Sequence, residues 1–126
     1  MCGIAGILLA NAAGDQGSPG IARHLKKMTD ALAHRGPDGE GHWHNERQTV
    51  WLGHRRLAVI DLSTAAAQPL VYRGRYHIVH NGEIYNYPEI RAFLRQKGYH
   101  FNTQSDTEVI TAAYDYWKEN CVLQFD

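Results

Sequence analysis

The chain has 126 residues, enough for one domain, and 44% of them are hydrophobic, which places it among globular rather than disordered sequences. Thirteen Lys plus Arg balance thirteen Asp plus Glu, so the sequence offers no broad basic face for nucleic acid or anionic lipid. The longest apolar runs, such as Ile4–Ala10, are too short to span a bilayer and Met1-Cys2-Gly3 lacks the opening of a secretory signal; we expect a cytoplasmic protein that meets neither nucleic acid nor membrane.

In chain order, Gly3–Leu9 is a short apolar run suited to a buried strand, with Cys2 at its very beginning and a loop over Asn11–Gly20 after it. Ile21, Leu25, Met28 and Leu32 recur at helical spacing, and the pattern stops before Arg35-Gly36-Pro37, where proline disfavours helix. Gly41–Leu62 reads as two or three strands with a break near Gly53. Tyr76–His80 is a further extended run that meets Asn81-Gly82, the dipeptide suited to a type I′ hairpin turn. Ile90, Phe93, Leu94 and Lys97 mark a helix face ended by Gly98, and Ser105 with Glu108 stands in capping-box spacing before Val109, Ile110, Ala113 and Trp117. Strands and helices alternate irregularly and the hairpin signals favour antiparallel pairing, so the expected class is α+β.

Several residues are candidates for chemistry. With Met1 removed, Cys2 would carry both a thiol and a free α-amine, groups that ordinarily titrate at about 8.5 and about 7.7–8, and the amine could serve as base for its own side chain. Read alone, a cysteine at position 2 is more simply a small residue at a strand start. Asn81-Gly82 places a carboxamide beside an unobstructed N–H, two donors fit for an oxyanion, although a plain turn is the better explanation of the pair read alone. Ser105 and Asp106 suit a helix cap, and Arg55-Arg56 suits solvated charge. Gly36–Gly41 reads as a loop and not as a phosphate cradle, because Pro37 lacks an N–H and two carboxylates would repel the anion. His42 and His44 share a strand face without a third ligand at usable spacing, so no metal is expected. Cys2 and Cys121 form no C-x-x-C pair, which argues against a disulfide framework; Cys121, beside Val122 and Leu123, reads as a core thiol.

Taken together and in order, six segments change the weighing. Met1-Cys2-Gly3-Ile4-Ala5-Gly6, His34-Arg35-Gly36-Pro37-Asp38, Gly53–Asp61, Gln68-Pro69-Leu70, Asn81-Gly82-Glu83-Ile84-Tyr85-Asn86 and Ser105–Ile110 resemble the successive landmarks of class II glutamine amidotransferases, in particular the glutamine-hydrolysing asparagine synthetase branch. The resemblance covers nearly the whole chain. It implies an N-terminal nucleophile fold, an αββα sandwich of two stacked antiparallel sheets between helical layers. It also implies Cys2 as nucleophile, the Asn81 side chain and Gly82 N–H as oxyanion hole, Arg56 on the α-carboxylate of L-glutamine, Glu83 and Asp106 on its α-ammonium, and backbone contact from Val59. Ammonia released from glutamine would pass to a C-terminal synthetase domain that uses ATP and magnesium to activate aspartate. No nucleotide-binding motif stands in these residues, so no cofactor is expected here. The resemblance further implies that residues 1–126 form an amidotransferase domain stopping short of the family's C-terminal strands, with unpaired sheet edges, weak activity in isolation and a tendency to pair with another copy. Two other readings stand beside it: an amidotransferase serving another acceptor, and a silent binding or assembly module.

Overall fold

The computed structural model describes residues 1–11 and 17–126; residues 12–16 of the expected loop 11–20 lie outside the described residues. The elements run β1 (Gly3–Leu8), α1 (Ser18–Ala31), β2 (Gly39–His44), β3 (Val50–Arg56), β4 (Leu70–Tyr72), β5 (Tyr76–Ile78), α2 (Tyr87–Gln96) and α3 (Asp106–Trp117), followed by 3₁₀ turns over Lys118–Gln124. One sheet has the order β1-β3-β2 and the other pairs β4 with β5, all antiparallel, so helices and antiparallel sheets are mixed as expected. Among the described residues no helix is long and apolar enough to cross a membrane.

Helix α1 lies on one face of the first sheet, burying Leu25 and Thr29 against Ala5 and Trp51. Close approach requires Gly53: a Cβ there would come within 2.6 Å of Thr29 Cγ2 and 3.1 Å of Leu25 Cδ1. The expected strand break at Gly53 is therefore misplaced, because this glycine admits a helix in mid-strand. The break falls instead at 45–49, where Asn45 Oδ1 accepts the N–H groups of Thr49 and Val50 at 2.8 and 3.0 Å. Arg55 is likewise not solvated charge. Its guanidinium donates to Thr29 O at 3.0 Å and pairs with Asp30 and Glu40 at 2.6 and 2.9 Å, tying α1 to the sheet. The glycine-rich segment is a loop only up to Asp38, since Gly39 and Gly41 belong to β2. His42, on the face of β2 that α1 covers, bonds Thr29 Oγ1 at 2.8 Å, and His44 Nδ1 lies 2.9 Å from Asn45 O.

The second core packs the β4–β5 hairpin, α2 and α3 around Leu70, Tyr72, Leu94, Val109, Ala113 and Cys121. Burial pushes the Cys121 thiol up, as a core sulfur requires. The hairpin turn is Arg73-Gly74, both with positive φ (52° and 64°), closed by Arg75 N–H on Tyr72 O at 3.0 Å. Asn81-Gly82 is not that turn: β5 stops at Ile78, and Asn81-Gly82 belongs to the connection into α2. Gly98 (φ 89°) follows α2, and Ser105 caps α3 with its Oγ accepting Thr107 N–H at 3.1 Å. The expected capping box is only half formed. Glu108 turns away from Ser105 and accepts Asn102 N–H, Thr103 N–H and the Thr103 hydroxyl, while Thr103 Oγ1 takes the Ser105 N–H at 3.1 Å.

The two halves meet on the sheet face opposite α1. Trp43 of β2 stacks on His77 of β5 with ring centroids 3.9 Å apart, and His54 of β3 reaches His80 O at 3.3 Å. Farther along that face Ile4 and Leu8 remain 48% and 80% exposed, apolar side chains without cover among the described residues.

Candidate active site

Antiparallel register sets Gly3 opposite Arg55, which brings Cys2, one residue before β1, to the end of β3. There its Sγ accepts the Leu57 N–H at 3.3 Å and lies 3.6 Å from Leu57 O. Arg35 donates from Nε to Cys2 O at 3.1 Å, holding the first residues from the other side. Gly36 makes this approach feasible, because a Cβ would come within 2.4 Å of the Arg55 carbonyl carbon. Asp38 then accepts Ala58 N–H at 2.9 Å, bracing the segment that follows Arg56.

Beside Cys2 opens a cavity of about 370 Å³. Its wall includes Cys2, Arg56, Val59, Asn81, Gly82, Glu83 and Asp106, so every residue singled out from the sequence as catalytic or glutamine-binding lies on one concavity. They come from the starts and ends of separate elements: β1, the end of β3, the connection between β5 and α2, and the N-terminus of α3.

The electrostatics divide the cavity. Arg56 donates from one terminal nitrogen to Ser63 O at 2.8 Å and from the other to Asp61 O. Each terminal nitrogen of a guanidinium carries two N–H groups, so a second remains on each for an anion. Asp61 folds this loop by accepting Ser63 N–H and Gln104 N–H, each at 2.8 Å; hydrogen bonding from the Ser63 side chain, together with these two N–H groups, holds its carboxyl below the usual range. Buried Asp106 accepts Thr107 N–H at 2.8 Å and Ile84 N–H at 3.0 Å, so one carboxylate links the α3 N-terminus to the residue after Glu83. Glu83 itself is exposed. A positive group and negative groups thus share one wall, the pattern suited to a zwitterionic amino acid.

Sequence reading passed over Gln68, His54, His80 and Thr107. Gln68, His80 and Thr107 line the cavity too. His54, 1% exposed, is driven down to about 4 chiefly by burial, with the Arg56 and His80 charges adding to the effect, and its Nδ1 has no partner among the described residues. Burial also lowers His80, against the pull of Asp106. The signal was present, since Gln68-Pro69-Leu70 and Gly53-His54-Arg55-Arg56 both fall within the six family-like segments; what was missing was any local reason to give Gln68 or His54 a task.

A family model described as a glutamine amidotransferase domain matches residues 1–126. The chain belongs to this family. The domain is 44% identical over 124 residues to asparagine synthetase [glutamine-hydrolyzing] 1 of Bacillus subtilis, an alignment covering 94% of this chain and 18% of that protein. It is 36% identical to the putative asparagine synthetase [glutamine-hydrolyzing] 2 of Methanocaldococcus jannaschii, covering 100% of this chain and 26% of the relative. With the amidase chry2 of Gibberella zeae it shares 39% identity over 98 residues, 77% of this chain and 14% of that protein. The amidotransferase chain therefore spans about a quarter or less of the length of these curated relatives.

Proposed function

We propose that the chain hydrolyses L-glutamine to glutamate and ammonia, with Cys2 as nucleophile. The observation that carries this reading is the convergence of Cys2, Arg56, Asn81, Gly82, Glu83 and Asp106 on one cavity. Arg56 takes the α-carboxylate through its planar fork, Asp106 and Glu83 take the α-ammonium, and Val59 adds backbone contact. The free α-amine of Cys2 accepts the thiol proton as the sulfur attacks the side-chain amide carbon. The Asn81 carboxamide and Gly82 N–H then stabilise the oxyanion. Collapse returns the proton to the leaving nitrogen, releases ammonia and leaves a thioester; water, activated by the same amine, gives glutamate and restores the thiol. Met1 blocks that amine with a peptide bond, so the mechanism requires its removal.

By analogy with the relatives' names, ammonia serves an asparagine synthetase reaction on a further domain, where ATP and magnesium activate aspartate. Residues 1–126 supply the glutaminase part alone, in a cytoplasmic protein. The amidase name among the relatives favours, as a second reading, an acceptor other than aspartate. The proposed layering is an αββα sandwich, supported by α1 on the outer face of one sheet, α2 and α3 packed on the other, and the Trp43–His77 stack between them. Further strands or a second copy would cover Ile4 and Leu8.

The test is glutamate release by the full-length protein, with the Cys2→Ala variant and mass spectrometry of the N-terminus. Loss of glutamine-dependent activity with ammonia-dependent activity kept, and Met1 absent from the active molecules, is the expected result. Equal loss of both activities, or full glutaminase activity with Met1 retained, refutes the mechanism.

A further inference from the structure

Gln68 bonds two separate segments of the cavity wall with one carboxamide. Its Oε1 accepts the backbone N–H of His80 at 2.5 Å, which identifies the other terminal atom as the amide nitrogen. That nitrogen donates to Thr107 Oγ1 at 3.3 Å. The Thr107 hydroxyl, whose oxygen accepts from Gln68, has one proton of its own to give, and His80 Nδ1 lies 3.4 Å away to accept it. Gln68, His80 and Thr107 thus close a ring of three contacts.

Two members of the ring, His80 and Thr107, adjoin groups proposed to hold the substrate. His80 directly precedes Asn81-Gly82, and its ring backs onto Gly82, where a Cβ would come within 2.8 Å of His80 Nε2. His80 O is fixed in turn by His54 Nε2 at 3.3 Å, so the residue before the oxyanion donors is held at its N–H, its carbonyl and its side chain. Thr107 directly follows Asp106, and its N–H bonds that carboxylate at 2.8 Å. Gln68 is itself firmly seated: a Cβ on Gly41 of β2 would fall 2.0 Å from Gln68 O, so the strand backbone packs directly on that carbonyl.

We propose that Gln68 is a positioning and specificity-determining residue for glutamine hydrolysis, setting through His80 and Thr107 the spacing between the Asn81–Gly82 donors and the Asp106 carboxylate. The proposal rests on the glutaminase reading above. A bound amino acid must place its α-ammonium at Asp106 and its side-chain carbonyl at Asn81–Gly82 together, so this spacing selects a side chain of one length. A substrate one methylene shorter fails to fill both ends at once.

The experiment compares the γ-hydroxamate of glutamate with the β-hydroxamate of aspartate, activated substrates differing by one methylene, in the full-length protein. One methylene is worth about 10–200-fold in discrimination. Gln68→Met, similar in length but unable to make either bond, is expected to lower kcat/KM for the longer substrate by about 10–100-fold and to reduce the preference between the two by about tenfold. Gln68→Glu, which keeps an acceptor for His80 N–H, is expected to recover most of the lost kcat/KM. Proportionate losses on both substrates at unchanged urea stability, or no loss at all in a chain whose glutaminase activity depends on Cys2, would overturn this proposal alone. A wild-type chain that releases no glutamate, or one indifferent to Cys2→Ala, overturns the glutaminase reading and this proposal with it.

Discussion

His54 makes folding stability depend on pH in a calculable way. Its folded-state pKa is about 4, against 6.5 for an ordinary histidine, because burial removes the water that would solvate the imidazolium and Arg56 and His80 lie nearby. The unfolded chain binds the proton first as pH falls, so between pH 6.5 and 4 the unfolded state carries more protons and stability rises with pH. The contribution is fully present above pH 6.5 and is lost progressively on acidification toward pH 4. A tenfold difference in proton affinity between the folded and unfolded chain corresponds to about 1.4 kcal/mol, so the loss amounts to about 2 kcal/mol at pH 5 and about 3 kcal/mol at pH 4 relative to neutrality. Carboxylates such as Asp61 and Asp115, held below their ordinary range by hydrogen bonds, add acid sensitivity at lower pH. The His54 part is isolated by comparison with His54→Gln, which keeps an amide donor for His80 O and does not titrate. Urea unfolding of both proteins at pH 7, 6, 5 and 4.5 measures the difference. The gap between wild type and variant is expected to shift by about 2 kcal/mol in favour of the variant from pH 7 to 5. A gap constant across that range would show that His54 titrates alike in the folded and unfolded chain and would refute the argument.

Asn81→Ala is expected to lower glutaminase kcat by about 10²–10³-fold with a smaller change in KM, because the lost donor acts mainly in the transition state. Steady-state kinetics check this, and a KM effect alone would make Asn81 a substrate binder. Gly41→Ala drives a Cβ to within 2.0 Å of the backbone oxygen of Gln68, and neither atom sits on a flexible side chain. A loss of about 1–3 kcal/mol in urea unfolding is expected, as for overpacked interiors.

Local pattern determined much of this protein. Periodicity marked the helix with Leu25 buried, the Gly98 stop after α2 and the Ser105 cap of α3, since capping and amphipathic spacing act over a few residues and are written there. The ordered motifs likewise named the family, and each residue taken from them lies on the cavity. Where local rules failed, a distant partner had decided. Asn81-Gly82 has the chemistry of a hairpin turn, yet Asp106 holds Ile84 N–H and Gln68 holds His80 N–H, so that segment is pinned as a connection, while Arg73-Gly74 makes the turn. Gly53 looks like a strand break until Thr29 and Leu25 of α1 arrive against it. Glu108 stands in capping-box spacing but bonds the preceding loop at Asn102 and Thr103. The tasks of Gln68 and His54 had no local signature, because a carboxamide or imidazole acquires a role only from the groups the fold brings within hydrogen-bond reach. Residues 54, 68, 80 and 107 are far apart along the chain, and only tertiary packing sets them in one network.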